Sequence, residues 1–262
     1  MIASHELLLV SAAGNRFAVA DGFRGASPDE PAAAACALAG RVDGLLLLDR
    51  ADAGAIRMTL YNADGGRAEA CGNGLRCLAA IAVEEGYVPA GEVAVETDAG
   101  LRSVSTELRG GAATEATAAM GPIRLGRAFE LEHDGRRLEV QPVDAGNPHA
   151  VVWLPAPDAV RLDRLGPAVA GCGRFPAGVN VEVAAPPTEG GPIAARVFER
   201  GVGETRSCGT GARATAQAAA ERFGSPSPLP IAMPGGVLTI LWSGWNDVYL
   251  RGPVQREGTI RL

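Results

Sequence analysis

Two cysteines head closely similar tetrads, Cys71-Gly72-Asn73-Gly74 and Cys208-Gly209-Thr210-Gly211, at an offset of 137 positions. Each tetrad opens a run that reads as a helix. The first turn of a helix leaves backbone N–H groups unpaired and carries partial positive charge. Glycines on either side of Asn73 and Thr210 let an anion approach those donors closely. The same field favours the thiolate of a cysteine at that end. If an internal two-fold relation brings both helix starts face to face, a carboxylate sits between them and its α-carbon lies between the two sulfurs. That arrangement suits inversion of a stereocentre by two bases, a thiolate removing the α-proton and a thiol delivering one to the opposite face. The helix N-termini would stabilise the enediolate-like carbanion. One thiol must stay protonated, so binding an anion and excluding water should raise at least one of the pair, with protons shared across both.

Composition removes several competing chemistries. All 24 basic residues are arginine, so no lysine is present to hold pyridoxal phosphate or to form any other Schiff base. Pyridoxal phosphate and lysine-based catalysis are therefore excluded. The net charge of −6 offers no broad basic face for nucleic acid or an anionic membrane. The apolar runs Ala32 to Ala39 and Leu45 to Leu48 are far short of a membrane span, and Met1 to Glu6 carries no basic leader. Five cysteines without a Cys-x-x-Cys pair point away from a disulfide framework or a zinc site and towards a reducing cytoplasm. Gly209-Thr210-Gly211-Ala212-Arg213-Ala214 fits a loose dinucleotide fingerprint, but no acidic residue ending a second strand follows at about 20 positions. A thiol redox pair is the remaining alternative of a different class.

The elements that must position these residues fall into two similar series. Leu7 to Asp21 reads as strand, turn, strand, and Pro31 to Leu38 as a short helix ended by Gly40. Leu45 to Leu48 reads as a buried strand, and Arg57 to Tyr61 as an alternating one that runs into the turn Asn62-Ala63-Asp64-Gly65-Gly66. Gly74 to Glu85 is apolar on nearly every side, as a buried helix should be, with Gly86 as its stop. Val93 to Glu107 and Thr114 to Met120 read as strands. The pattern then restarts: Gly146-Asn147-Pro148-His149-Ala150-Val151 echoes Gly14-Asn15-Arg16-Phe17-Ala18-Val19. A loop and a short helix ending near Gly171 follow. Val179 to Val183 and Ile193 to Phe198 read as strands, and Gly209 to Phe223 as a small-residue helix stopped by Gly224. Val237 to Trp242 and Asp247 to Arg251 close the series. Two halves of this kind suggest duplication with pseudo-two-fold symmetry.

Several quoted stretches together make the chain similar to the diaminopimelate epimerases, cofactor-independent amino-acid epimerases. They are Tyr61-Asn62-Ala63-Asp64-Gly65, Glu69-Ala70-Cys71-Gly72-Asn73-Gly74-Leu75-Arg76-Cys77, Gly146 to Val151, Val179-Asn180-Val181, the opening stretch and Met233-Pro234-Gly235-Gly236. The resemblance covers nearly the full length. It implies an α/β (α+β) fold of two pseudo-symmetric domains, each a curved mixed β-sheet around a central helix. The halves would be 1–118, joined by the last strand at about 253–262, and 119–252. It implies interconversion of LL- and meso-2,6-diaminopimelate, in lysine and peptidoglycan synthesis, with no cofactor and no metal. By position, Cys71 and Cys208 match the acid/base pair, and Gly72, Asn73, Gly209 and Thr210 the carboxylate cradle. Asn15, Asn62, Asn147, Asn180, Glu199 and Arg200 match substrate contacts, while His149, together with Glu199, matches a position tied to activity. Arg200 suits a carboxylate, Glu199 an ammonium, and the asparagines either.

Departures from the family pattern mark where this chain has its own solutions. Ser11 to Phe17 lacks the glycine-rich lead-in and puts Arg16 where an acidic residue is usual. Gly44 stands where some members have glutamine. The tail from Gly252 to Gly258 is short and lacks an aromatic residue linked with dimers, which bears on the homodimer the resemblance would imply. A related racemase acting on another amino acid, of the proline type, is the alternative enzyme, although it would not need a polar set for a second charged end.

Overall fold

The computed structural model describes residues 6–68 and 71–262. Met1 to His5, which bear on the leader, and Glu69-Ala70 of the first cysteine motif lie outside the described residues. In chain order the elements are β1 (Glu6–Ala12), β2 (Asn15–Asp21), α1 (Pro31–Ala37), β3 (Gly44–Arg50), β4 (Ile56–Asn62), β5 (Arg67–Ala68), α2 (Gly72–Glu84), β6 (Glu92–Thr97), β7 (Gly100–Arg109) and β8 (Ala112–Ala119). There follow β9 (Arg124–Leu125), β10 (Phe129–His133), β11 (Arg136–Asp144), β12 (Pro148–Trp153), α3 (Leu162–Ala170), β13 (Asn180–Ala184), β14 (Ile193–Glu199), β15 (Gly203–Thr205) and α4 (Gly209–Phe223). The chain ends with β16 (Leu229–Met233), β17 (Gly236–Gly244), β18 (Asp247–Pro253) and β19 (Gln255–Arg261). Two units result: Met1–Ala119 with Arg251–Leu262, and Met120–Leu250.

The pairing pattern of the first unit recurs in the second. In the first, β1–β2 is antiparallel, β2–β3 parallel, β3–β4 antiparallel, β4–β6 parallel and β6–β7 antiparallel. In the second, β11–β12, β12–β13, β13–β14, β14–β16 and β16–β17 run through the same five alternations. The short β5 and β15 lie antiparallel beside β4 and β14. Both sheets are mixed, and the repeat expected from the order of elements is present in the topology. The first unit also takes back β19, which pairs antiparallel with β1.

Helix α2 is buried from Gly72 to Val83, which agrees with its all-round apolar sequence. Leu75, Leu78 and Ile81 are fully covered, each stabilising by about 1.5–3 kcal/mol relative to exposure. Helix α4 is buried from Gly211 to Ala219, and its commonest residue is alanine, which combines high helix propensity with close packing. It stops at Gly224, whose φ of 68° is the left-handed conformation that glycine adopts without steric cost. The other sheet faces are covered too. Ala34, Ala35 and Leu38, in and just after α1, pack on Leu45 and Leu47, while Leu162, Leu165 and Val169 of α3 pack on Val181 and Val183. That double coverage is why Leu45 to Leu48 is apolar without alternation.

The sequence reading places no element between Met120 and Gly146, where the structure has the hairpin β10–β11. Its strands share an apolar face, with Phe129 and Leu131 of β10 packed on the core that holds the buried Leu138 and Val140 of β11, and carry Glu130, Glu132 and Arg137 on the surface. The alternation of Phe129-Glu130-Leu131-Glu132 and Leu138-Glu139-Val140 on either side of Asp134-Gly135 is the hairpin signal that the sequence reading passed over.

Candidate active-site residues in two half-sites

Both cysteines are the N-cap residues of their helices, with nearly the same backbone. Cys71 has φ −140° and ψ 119°, and Cys208 has φ −137° and ψ 114°. Each carbonyl accepts the first helical bond, from the Leu75 N–H at 2.8 Å and the Ala212 N–H at 2.9 Å. The tetrads therefore do locally what their glycines suggested: a β-region cysteine turns straight into a helix start.

In the first unit, polar side chains run in a line from α2 to the surface. The buried Arg76 guanidinium donates to Asn73 Oδ1 and, at 3.0 Å, to the Pro253 carbonyl. Asn73 donates from Nδ2 to Asn15 Oδ1 at 2.6 Å, and Asn15 donates to Asp43 Oδ2 at 3.4 Å. Arg16 is occupied by Glu257 on β19, its Nε 2.6 Å from Oε2. Asn62 lies exposed at the end of β4, where its backbone closes a turn with Gly65 and Gly66. Gly44, opposite Asn62 in register, has no room for the glutamine of some relatives: a Cβ there would lie 2.8 Å from the Tyr61 carbonyl oxygen.

The second unit gathers titratable groups. The parallel register of β12 and β13 sets His149 beside Asn180 and diagonal to Glu182, on the same face. His149 and Glu182 are both fully buried, with Nδ1 2.7 Å from Oε1, and His149 Nε2 lies 2.9 Å from Asn147 Oδ1. Asn180 Oδ1 accepts the Arg200 backbone N–H at 2.8 Å, while the exposed Arg200 guanidinium donates to the Ala177 carbonyl. Glu199 accepts from the Thr205 hydroxyl and is hydrogen-bonded with Cys208. Cys208 Sγ accepts the Gly211 N–H at 3.4 Å and lies 3.3 Å from Thr210 Oγ1. Met233, from the Met-Pro-Gly-Gly stretch, takes the Cys208 N–H on its sulfur at 3.4 Å.

Burial outweighs the helix field at one of the two thiols. A helix start favours a thiolate, but burial pushes the Cys208 thiol well above its ordinary range, and the Glu199 and Glu182 carboxylates push the same way. The Thr210 and Gly211 hydrogen bonds oppose this more weakly. Burial also raises the Glu199 carboxyl, with Glu182 adding to the rise, against the Thr205 and Cys208 hydrogen bonds and His149. Desolvation outweighs the helix field here because the field comes from partial charges.

Among the described residues no group of three or more His, Cys, Asp or Glu is placed to hold a metal ion, and no helix is long and apolar enough to cross a membrane. The sequence matches the model of the family described as diaminopimelate epimerase over residues 9–125 and 142–257. It is 38% identical to the diaminopimelate epimerase of Sphingopyxis alaskensis, covering 93% of this chain and 91% of the relative. It is 34% identical to that of Desulfitobacterium hafniense, covering 95% and 94%. The chain belongs to the diaminopimelate epimerase family. Its fold is shared more widely. A Bacillus anthracis phenazine biosynthesis protein of the PhzF family has a TM-score of 0.75 at 14% identity, covering 99% of each chain. A probable proline racemase from Agrobacterium radiobacter has a TM-score of 0.73 at 19% identity, covering 100% of this chain and 93% of the other.

For this member of the epimerase family, sequence reasoning missed several residues that hold the half-sites together. Arg76 and Arg213 each follow their cysteine by five positions and are buried, Arg213 donating to the Gly121, Pro122 and Ala145 carbonyls. A repeated arginine inside two otherwise small and apolar helix stretches was the readable signal. Glu182 carried one as well, being an acidic residue within the apolar strand Val179 to Val183. Asp43 carried none, since an acid in a loop is ordinary.

Proposed function

We propose that this chain interconverts LL- and meso-2,6-diaminopimelate without a cofactor, with Cys71 and Cys208 as the two acid/base groups. The observation that carries the reading is the pair of cysteine N-caps with matching backbone angles, in a chain of this family. Inversion breaks the α-C–H bond as a thiolate takes the proton. It leaves an enediolate-like carbanion and completes when a thiol supplies a proton to the opposite face. In this reading the N–H groups at Gly72-Asn73 and Gly209-Thr210 receive the substrate carboxylate as its charge grows. Cys208 starts as the thiol, in keeping with the direction of its shift. Glu199, hydrogen-bonded with Cys208, and His149 serve its proton traffic. Asn15, Asn62, Asn147, Asn180, Glu199 and Arg200 recognise the two zwitterionic ends.

The reaction serves lysine and peptidoglycan synthesis in the cytoplasm, and the oligomer assigned with it is a homodimer, which light scattering measures directly. The deciding assay is α-proton exchange in heavy water with each diaminopimelate isomer and with proline, no cofactor added. Exchange is expected with both diaminopimelate isomers and not with proline. Exchange with proline alone would overturn the assignment in favour of a proline-type racemase. Cys71→Ala and Cys208→Ala should each lower inversion by about 10²–10⁴-fold, the range of lost general acid–base catalysis. Near-full turnover in either would remove the two-base scheme.

A further inference from the structure

The two amides beside the first tetrad lie between a group that can only donate and one that can only accept. Arg76 offers no acceptor, so the Asn73 atom facing its guanidinium must be the oxygen. The Asn73 amino group is thereby turned to Asn15, whose oxygen receives it at 2.6 Å. The Asn15 amino group must then face Asp43, and an ionised carboxylate only accepts. Asp43 Oδ2 is itself held by the Arg16 backbone N–H at 2.7 Å. Turning either amide over would set donor against donor at one of its contacts and acceptor against acceptor at the other.

We infer that Asp43 and Arg76 are positioning residues: they close the two ends of the chain Arg76–Asn73–Asn15–Asp43 and leave one orientation for both amides. The inference rests on the reading of Asn15 as a substrate contact and names what orients it. The two bonds occupy one N–H and one oxygen lone pair of Asn15. Its other N–H and lone pair, on a half-buried side chain, are what it offers a substrate, at places set by the chain rather than by rotation of the amide. Holding a contact in one orientation before binding removes an ordering cost from recognition.

A double-mutant cycle on kcat/KM with diaminopimelate tests this. Asp43→Ala should lower kcat/KM about tenfold, mainly through KM, the effect of losing one hydrogen bond to a charged group. Asp43→Asn keeps an oxygen to accept from Arg16 and Asn15, and should recover most of the loss. In an Asn15→Ala background, Asp43→Ala should have no further effect beyond about twofold, because coupled residues are not additive. Fully additive losses would mean that Asp43 acts elsewhere and would overturn the inference. A second readout does not depend on turnover. The side-chain amide NMR signals of Asn15 and Asn73 should both move in Asp43→Ala and again in Arg76→Gln, which can turn an oxygen to Asn73. An Asn73 signal unchanged in Asp43→Ala would break the chain, whatever substrate the enzyme takes. Asp43 is exposed, so its variants test the inference even if Arg76→Gln does not fold.

Discussion

Beside Cys71, the polar chain ends in an arginine on one side and an exposed aspartate on the other, with two neutral amides between them. Beside Cys208, at the same place in the repeat, Thr210 replaces Asn73, and the neighbouring charges are the titratable Glu199, Glu182 and His149. The backbones that present the two thiols are almost superposable in angle, so duplication preserved the N-cap and let the surroundings diverge. Symmetric backbones can thus hold two thiols in unequal electrostatic settings. In the proposed two-base inversion one sulfur holds a proton and the other does not, and unequal surroundings bias which one.

The largest expected effect separates the buried pair from the exposed end of the other chain. Glu182→Ala leaves the buried His149 Nδ1 without its partner and opens a void in a fully buried site, and should cost about 2–5 kcal/mol. Asp43→Ala removes a hydrogen-bond acceptor at the surface and should cost only about 0.5–1.5 kcal/mol. Denaturant midpoints measure both, and equal losses would erase the contrast.

The glycines three positions after the cysteines give the next test. A Cβ on Gly211 would lie 2.5 Å from Glu182 Oε1, whereas one on Gly74 would meet the tip of the Leu46 side chain at 3.1 Å. Gly211→Ala must displace a buried carboxylate and should cost about 1–3 kcal/mol. Gly74→Ala should cost less, since a leucine methyl can give way. Thermal melts that rank them the other way would show Glu182 to be free to move.

A smaller effect should appear as a pH dependence. Because burial raises Glu199, the folded state holds that proton more tightly than the unfolded chain. The stability gained is full below the unfolded carboxylate range and is lost as pH rises through the folded value. Glu199→Gln does not titrate, so its Tm relative to the parent should rise from acidic to neutral pH. A difference constant with pH would contradict the assigned direction.

The mildest test is chemical. At neutral pH, iodoacetamide should label the half-buried Cys71 before the buried Cys208, and Cys208 labelling should keep accelerating above the ordinary thiol range. Peptide mapping keeps the exposed Cys36 separate from both. Faster labelling of Cys208 would reverse the comparison.

Legibility in the sequence followed the range of the forces involved. Helix α4 was readable to its ends because Cys208, the alanine run and Gly224 act within a few positions of one another. Leu45 to Leu48 was readable as buried from its own composition. The hairpin β10–β11 was passed over although it alternates about Asp134-Gly135, and what its apolar face covers is set only by tertiary packing. Which of the two thiols is raised was not legible for a related reason. The helix start lies in the tetrad itself, but the burial and the carboxylates that outweigh it come from other strands.

By itself, then, the sequence determined where α4 begins and ends, that a cysteine stands at the start of two helices, and that no lysine can hold a cofactor. Only the tertiary structure decided who stands beside each cap. Asp43 reaches Asn15 across 28 positions, Asn73 reaches Asn15 across 58, and Pro253 meets Arg76 across 177. Local backbone bonds depend on neighbours in the chain, which a sequence displays. Desolvation and side-chain pairing depend on segments that become neighbours only through strand register and packing.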